Sequence, residues 1–490
     1  MIHTNVEFTT SDKRLERLYA CAKDTLFSAV KPFGDRKLIT DSPSDPTVTL
    51  HYSLMSAQTL ADYNTDVALD SVRAFLVTMR KDGRLASSLS GKNAAIRPSY
   101  ETVTGFSFAE EAVKLCYLVK NKNSAYSKQL YDTLCQFDAY LWKTHDQNNN
   151  GSLEIFRESE AEEGVGADRF PSIIGKKDGE EFSDSPFPVE SFALMAEAYS
   201  IRKALAELAL ILGKKEEADV WLEKADAVTK KIRGFLWLGG FHACFDRDYR
   251  GGILSALSIN NLQLLYFGAA DPSMANALVK HHIQNKEEFW TPMPLPSVAR
   301  NHSLFDPNNE FCGNPRGVTY RRAIPALEKY GYFSLLTELG QKLLCATGAD
   351  ALFPVTFDCM TGAPQNTDRE ANYVPTASAV LEIIKRFFGV YADRDVVCWG
   401  CLGMEAASSE YRFTWGNDVY LVKTGSGVTT GSVNGERVFT VTEGTRVFTD
   451  LYGSSVRVAN VTNEAIDCIC VCRDQTFSLH LEPNEVKALK

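Results

Sequence analysis

Between His145 and Pro171 the chain reads HDQNNNGSLEIFRESEAEEGVGADRFP, and seven carboxylates crowd into it: Asp146, Glu154, Glu158, Glu160, Glu162, Glu163 and Asp168. Acids gathered on one loop are suited to general acid and base work, in which one carboxyl donates a proton and another accepts one. The stretch lies between a helical pattern ending near Trp142 and another starting at about Val189. A connection that long without periodicity is usually functional or disordered, and Phe156, Val165, Phe170 and Pro171 argue for order. Asp168, Glu162 and Glu163 are the first candidates for catalysis. The same stretch opens with Asp146-x-Asn148-x-Asn150-Gly151, the first half of a calcium loop. Its twelfth position holds Arg157 where glutamate is needed. That favours a plain helix-ending turn over calcium at Asp146, Asn148 and Asn150, and no cofactor is expected.

Other residues could bind a substrate around such acids. Trp290 stands in FWTPMPLPS, where rigid proline turns could hold an indole against the C–H face of a sugar ring. Arg157, Arg169, Arg316 and Arg369 could each bind a carboxylate locally. Asp368-Arg369-Glu370 and Asn372-Tyr373 lead into a helix, and Glu190 and Glu101 also precede helices. The eight histidines show no metal spacing, and no GxSxG elbow, P-loop or dinucleotide fingerprint is present. Cys398 and Cys401 are spaced CxxC, and Cys468, Cys470 and Cys472 could complete a zinc set, but alternation on a strand reads as a buried apolar face.

The elements that must position these residues are mostly helices. Periodicity predicts about twelve, the first capped by Thr10 or Ser11 with Leu15, Leu18, Tyr19, Ala22 and Leu26 on one face. Gly213 and Gly331 make short links between antiparallel neighbours, and Asp271-Pro272 gives a helix its cap and first residue. Short and long connections alternate, which fits six helical hairpins closed into a double ring with the long loops at one rim. No fixed-length repeat supports a solenoid. Beyond Val390 the period falls to two, and Asn434-Gly435 marks a hairpin. The expected fold is mainly α, an (α/α)6 toroid over 1–395 with a small all-β, sandwich-like module over 400–490.

The chain has 490 residues, 44% apolar and 23% charged, with a net charge of −10. That balance, without a basic run, excludes a nucleic-acid partner. No apolar run reaches the ~18 residues of a membrane span, and the N-terminus lacks a signal-peptide pattern. The twelve cysteines then read as reduced thiols of a cytoplasmic protein.

PLPSVARNHSLFDPNNEFCGNPRGVTYRRAIPALEKYGY, followed by FPVTFDCMTG, resembles the catalytic-domain pattern of (α/α)6 glycoside hydrolases of the mannosyl-oligosaccharide glucosidase and mannosylglycerate hydrolase group. The resemblance implies a carbohydrate substrate and an inverting mechanism with an acid and a base carboxylate. It also implies an acid within the Glu158–Phe170 loop and a base glutamate in an F-x-E stretch. Here that position is Val355, and Phe311 and Thr319 replace the tryptophans of a W-x-G-x-x-W stretch. Glu370 and Glu190 are the best replacements for the base, with Glu101 behind them. The missing glutamate keeps open a phosphorylase, lyase or epimerase on the same toroid, or a silent carbohydrate-binding protein. The sequence leaves the oligomeric state open.

Overall fold

The computed structural model describes residues 2–92, 95–101, 107–120, 122, 124–156, 160, 187–309, 312–365, 371–404, 407–472 and 475–489. Among these residues the chain forms twelve α-helices: α1 Lys13–Ser28, α2 Tyr52–Ala61, α3 Thr65–Val77, α4 Ala109–Leu118, α5 Ala125–His145, α6 Phe192–Ile211, α7 Lys215–Lys231, α8 Leu262–Tyr266, α9 Pro272–Leu278, α10 Gly317–Lys329, α11 Phe333–Gly348 and α12 Val374–Phe388. The even-numbered helices pack side by side, each on the next, and α12 closes the ring on α2. The odd-numbered helices lie outside: α3 on α2, α5 and α7 on α6, α11 on α10 and α12, and α1 on α12. This is the expected (α/α)6 toroid.

Burial separates the rings as their sequences do. All fifteen residues of α12 are buried, whereas α7 buries only the stripe Ala218, Trp221, Ala225 and Val228. An outer helix needs one apolar face, and an inner helix is covered all round. The cap of α1 is Asp12 rather than Thr10 or Ser11, because its carboxylate accepts the N–H groups of Arg14 and Leu15. Thr10 instead ends a strand. Asp271 caps α9 with Pro272 in its first turn. α8 has only five residues, because Ile259–Asn261 ahead of it form a 3-10 turn.

The strands after Val390 form two antiparallel sheets. One runs Val390–Asp393, Val396–Cys401, Thr445–Asp450, Val456–Asn460 and Val486–Leu489. The other runs Thr4–Thr10, Ser409–Trp415, Asp418–Gly425, Val428–Val433, Glu436–Thr442, Ile466–Cys472 and Gln475–Leu481. Trp399 of the first sheet meets Phe439 of the second edge-on, with ring centroids 5.4 Å apart. Asn434 and Gly435 both take positive φ, as their hairpin turn requires. The second sheet recruits Thr4–Thr10, which pairs along its whole length with Ser409–Trp415. Cys398, Cys401 and Cys470 are buried, and burial pushes the Cys398 and Cys470 thiols up to about 12.

A buried ionic seam joins this module to the toroid. Glu328 on α10 accepts from Arg386 on α12, from Arg446 of the Thr445–Asp450 strand and from the Tyr391 hydroxyl. Arg386 also pairs with Glu382, which binds Lys385, and Lys385 reaches Asp62 at 2.7 Å. Among the described residues, no helix is long and apolar enough to cross a membrane.

Candidate active site

Inner and outer helices alternate along the chain, so all six inner helices start at the same rim. Hydrogen bonds around that rim tie their starts together. His51, before α2, shares a 3.0 Å bond with Ser107, before α4. The Asp41 carbonyl accepts from the Val374 N–H at the start of α12. Thr376 of α12 donates to the Pro354 carbonyl, and the Gly317 N–H of α10 donates to the Val355 carbonyl. Ile259, at the start of the turn into α8, donates to Ser297, which in turn donates to Gly313 before α10. Asp246 accepts the first N–H of α6 while Asn261 accepts from Cys244, linking α6 to α8. Six helix N-termini, each with partial positive charge, therefore face one end of the toroid.

Of the residues singled out from sequence, Arg316 and Tyr373 stand at this rim as the N-cap residues of α10 and α12. Both are nearly buried, at 6% and 7% exposure. Tyr373 packs with Met55, Val318, Tyr52 and Val355. Val355 thus sits within the rim, so the position expected to carry a base presents an apolar side chain. Glu101 is exposed ahead of α4. Glu190 also precedes an inner helix, but its carboxylate turns to the Asn148 and Asn150 amides. Trp290 is 6% exposed and donates its indole N–H to Glu338 of α11 at 2.9 Å, which makes it a packing residue against the outer ring. Asp168, Glu162, Glu163, Glu370 and Arg369 lie outside the described residues, as do Glu158 and Phe311.

One rim carboxyl was not singled out from sequence. Asp41 accepts from the Ser53 hydroxyl at 2.6 Å and the Thr49 hydroxyl at 2.9 Å. Burial pushes its carboxyl up to about 7 against the pull of those two hydroxyls, with Asp45 adding to the rise. A carboxyl poised there can hold or release a proton at neutral pH. Its partners Thr49 and Ser53 stand eight and twelve positions further on, and nothing local to Asp41 signals that contact. Among the described residues, no group of three or more His, Cys, Asp or Glu side chains is arranged to hold a metal ion.

Comparison with known proteins follows this geometry. The mannosylglycerate hydrolase MGH1-like glycoside hydrolase domain matches residues 50–370. No curated protein matches the chain. Among solved structures, a GH63 mannosylglycerate hydrolase from Thermus thermophilus, in complex with glucose, superposes with a TM-score of 0.62 at 16% identity. That likeness covers 74% of this chain and 99% of the other. A GH78 rhamnosidase from Bacillus sp. GL1 is similar over 86% of this chain and 40% of its own, with a TM-score of 0.60 and 12% identity. The neutral trehalase Nth1 of Saccharomyces cerevisiae gives 0.53 at 15% identity, covering 71% and 73%. At these identities the likeness is one of fold.

Proposed function

We propose an inverting acid–base hydrolysis for this chain, which belongs to the mannosylglycerate hydrolase MGH1-like glycoside hydrolase family by its match over 50–370. The observation that carries the reading is the rim itself, where six inner-helix starts and their polar residues converge on one end of a closed toroid. In the proposed reaction a carboxylic acid protonates the glycosidic oxygen as the bond to the anomeric carbon breaks. A carboxylate on the opposite side takes a proton from the attacking water, and the product carries inverted configuration. Asp168, Glu162 or Glu163 is proposed as the acid. Glu370 or Asp41 is proposed as the base, because Val355 cannot accept a proton.

The substrate class we infer is a small glycoside whose aglycone bears a carboxylate, as in the mannosylglycerate of the family's name. The support in this chain is Arg316 at the start of α10, where a guanidinium and a helix N-terminus favour an anion together. Tyr373, at the start of α12 and packed on Val318 of α10, adds an aromatic ring at the same rim. Twelve free thiols support a reducing, cytoplasmic setting.

The test is turnover of a panel of α- and β-linked glycosides with and without a carboxylate aglycone, with product anomers followed by NMR. Inverted product and a loss of about 10²–10⁴ in kcat on neutralising the acid or base are expected. Retained configuration would refute the mechanism. Val355 favours one second reading, a phosphorylase, since phosphate attacks without a carboxylate base. Turnover that requires added phosphate would establish it.

A further inference from the structure

At the end of the toroid opposite the rim, a cleft of about 830 Å³ opens between the inner-helix ends and the β module. One wall belongs to the toroid: Tyr117 near the end of α4, Lys120 and Lys122 just beyond it, and Arg394 and Asp395 after α12. The other wall belongs to the β module: Trp415, Asp418, Asn434 and Arg437, with the turn 451–454 at the mouth. That volume lies within the ~300–1,000 Å³ of small-molecule sites. The floor is fixed by bonds between the walls. Trp415, 2% exposed, donates its indole N–H to the Leu118 carbonyl at 2.6 Å. Lys120 donates to the Trp415 carbonyl at 3.1 Å and to Asp418 at 2.5 Å, and its ammonium lies 4.5 Å from the Trp415 ring centroid. Asn434 donates to the other Asp418 oxygen at 3.1 Å.

The observation that points to a ligand is Tyr452. It is 88% exposed, the most of any large apolar or aromatic residue described. A single exposed aromatic needs no explanation on an open surface, but this ring lines a cleft and its backbone is held in place. Asp450 accepts the N–H groups of Tyr452, Ser454 and Ser455 at 2.9, 2.8 and 2.9 Å. Gly453 in the same turn takes φ +70 and packs so closely that a Cβ there would lie 2.6 Å from Val438. A ring on an already ordered turn costs little to use as a platform. The charges around it offset one another. Lys120 faces Asp418, Lys122 donates to both oxygens of Asp395 at 2.7 and 2.8 Å, Arg394 donates to Glu207 at 2.7 Å, and Arg437 follows Glu436 in the chain. A phosphate or carboxylate would have to displace an acid from its partner. A neutral molecule rich in hydroxyls would not, since each hydroxyl both donates and accepts and can bridge an existing pair.

We propose that this cleft is a second saccharide site, remote from catalysis, in which a neutral sugar stacks on Tyr452 and sets its hydroxyls against Asp418, Asn434 and Arg437. A pyranose ring has the two surfaces that the cleft answers, an apolar C–H face for the aromatic ring and a polar edge for the planar side chains. Asp418 keeps further lone pairs beside those that Lys120 and Asn434 occupy, and Arg437 carries five N–H donors in a fixed fork. Asn434 and Arg437 are exposed, so a sugar reaches them without a change of fold. The length of the inner helices separates the cleft from the rim, so an oligosaccharide bound here is held on the protein without occupying the place of cleavage. The site does not depend on which rim carboxylates catalyse.

The test uses the full chain with maltotriose, cellotriose and α-1,6-mannotriose as probes and sodium phosphate as the control. Amide hydrogen exchange locates the binding and calorimetry measures it. Slower exchange is expected in residues 433–437 and 451–454 with at least one trisaccharide, and no change there with phosphate. Tyr452→Ala should weaken that binding by about tenfold. Tyr452→Phe should weaken it much less, because the ring remains. Tyr452 is exposed, so both variants should fold, as circular dichroism would show, and kcat at the rim should be unchanged in them. Absence of protection in these segments with all three sugars would overturn the proposal. Binding unchanged in Tyr452→Ala would also overturn it, as would equal protection by phosphate.

Discussion

Removing the Glu328 carboxylate should unfasten the β module from the toroid. Its oxygens hold Arg386, whose side chain is 7% exposed, and Arg446, at 2%. Glu328→Ala leaves two buried guanidiniums and the Tyr391 hydroxyl without their shared acceptor. Arg386 retains Glu382, so the heavier loss falls on Arg446. Breaking a buried pair from one side costs about 3–5 kcal/mol. At ~2.1 cal/mol/K per residue, a 490-residue chain has an unfolding entropy near 1 kcal/mol/K, so the melting temperature should fall by about 3–5 °C. Calorimetry at pH 7 would read this, and Glu328→Gln, which keeps the shape but not the charge, should lose less. Burial alone would raise the Glu328 carboxyl, but Arg386 and Arg446 overcome it and hold it below its ordinary 4.5. A carboxyl lowered by folding gives stability that is present above its unfolded value and lost as pH falls through the folded one. The advantage of the wild type over Glu328→Gln should therefore persist above pH 4.5 and shrink only below it. A fall of less than ~1 °C for Glu328→Ala, with unchanged circular dichroism, would refute this account of the seam.

Three further outcomes are expected. Asp41→Asn should remove a limb near pH 7 from the rate profile if Asp41 carries the proton, with kcat down by about 10²; because its carboxyl is raised from 3.8 to about 7, wild-type stability should decline as pH rises through 7 while that of the variant does not. Gly317→Ala places a Cβ 1.7 Å from the Thr376 hydroxyl oxygen and should cost about 1–3 kcal/mol, read as a lower melting temperature, with activity falling as Arg316 shifts. Trp399→Ala empties the centre of the sandwich and should cost about 3–5 kcal/mol by chemical denaturation.

The toroid was legible because its signals are local. Asp271-Pro272 and Gly213 fix helix ends by their own backbone chemistry, and α7 declares its ring by a single apolar stripe. What escaped is what the chain brings together over distance. Thr4–Thr10 pairs with residues some four hundred positions on, and the Asp41 carbonyl meets the start of α12. Glu154 and Glu190 meet through a strand pair of two residues each, too short to show a period. Tyr373 could be placed at a rim because its segment leads into a helix, whereas Arg316 was legible only as a local anion binder. Trp290 could not, because a tryptophan among prolines reads the same whether its ring faces a sugar or Glu338.

The pairing of Thr4–Thr10 with Ser409–Trp415 also sets an order of events during synthesis. The first strand leaves the ribosome with Val6 and Phe8, both buried in the finished fold. Its partner strand does not yet exist. At roughly 5–20 residues per second, some tens of seconds pass before residue 415 emerges. Ring closure waits as well, because α2 needs α12. A nascent chain must therefore carry an unpaired apolar strand until its partner is made. Expression yield should consequently respond to chaperone supply and to growth temperature more than the stability of the finished protein would suggest.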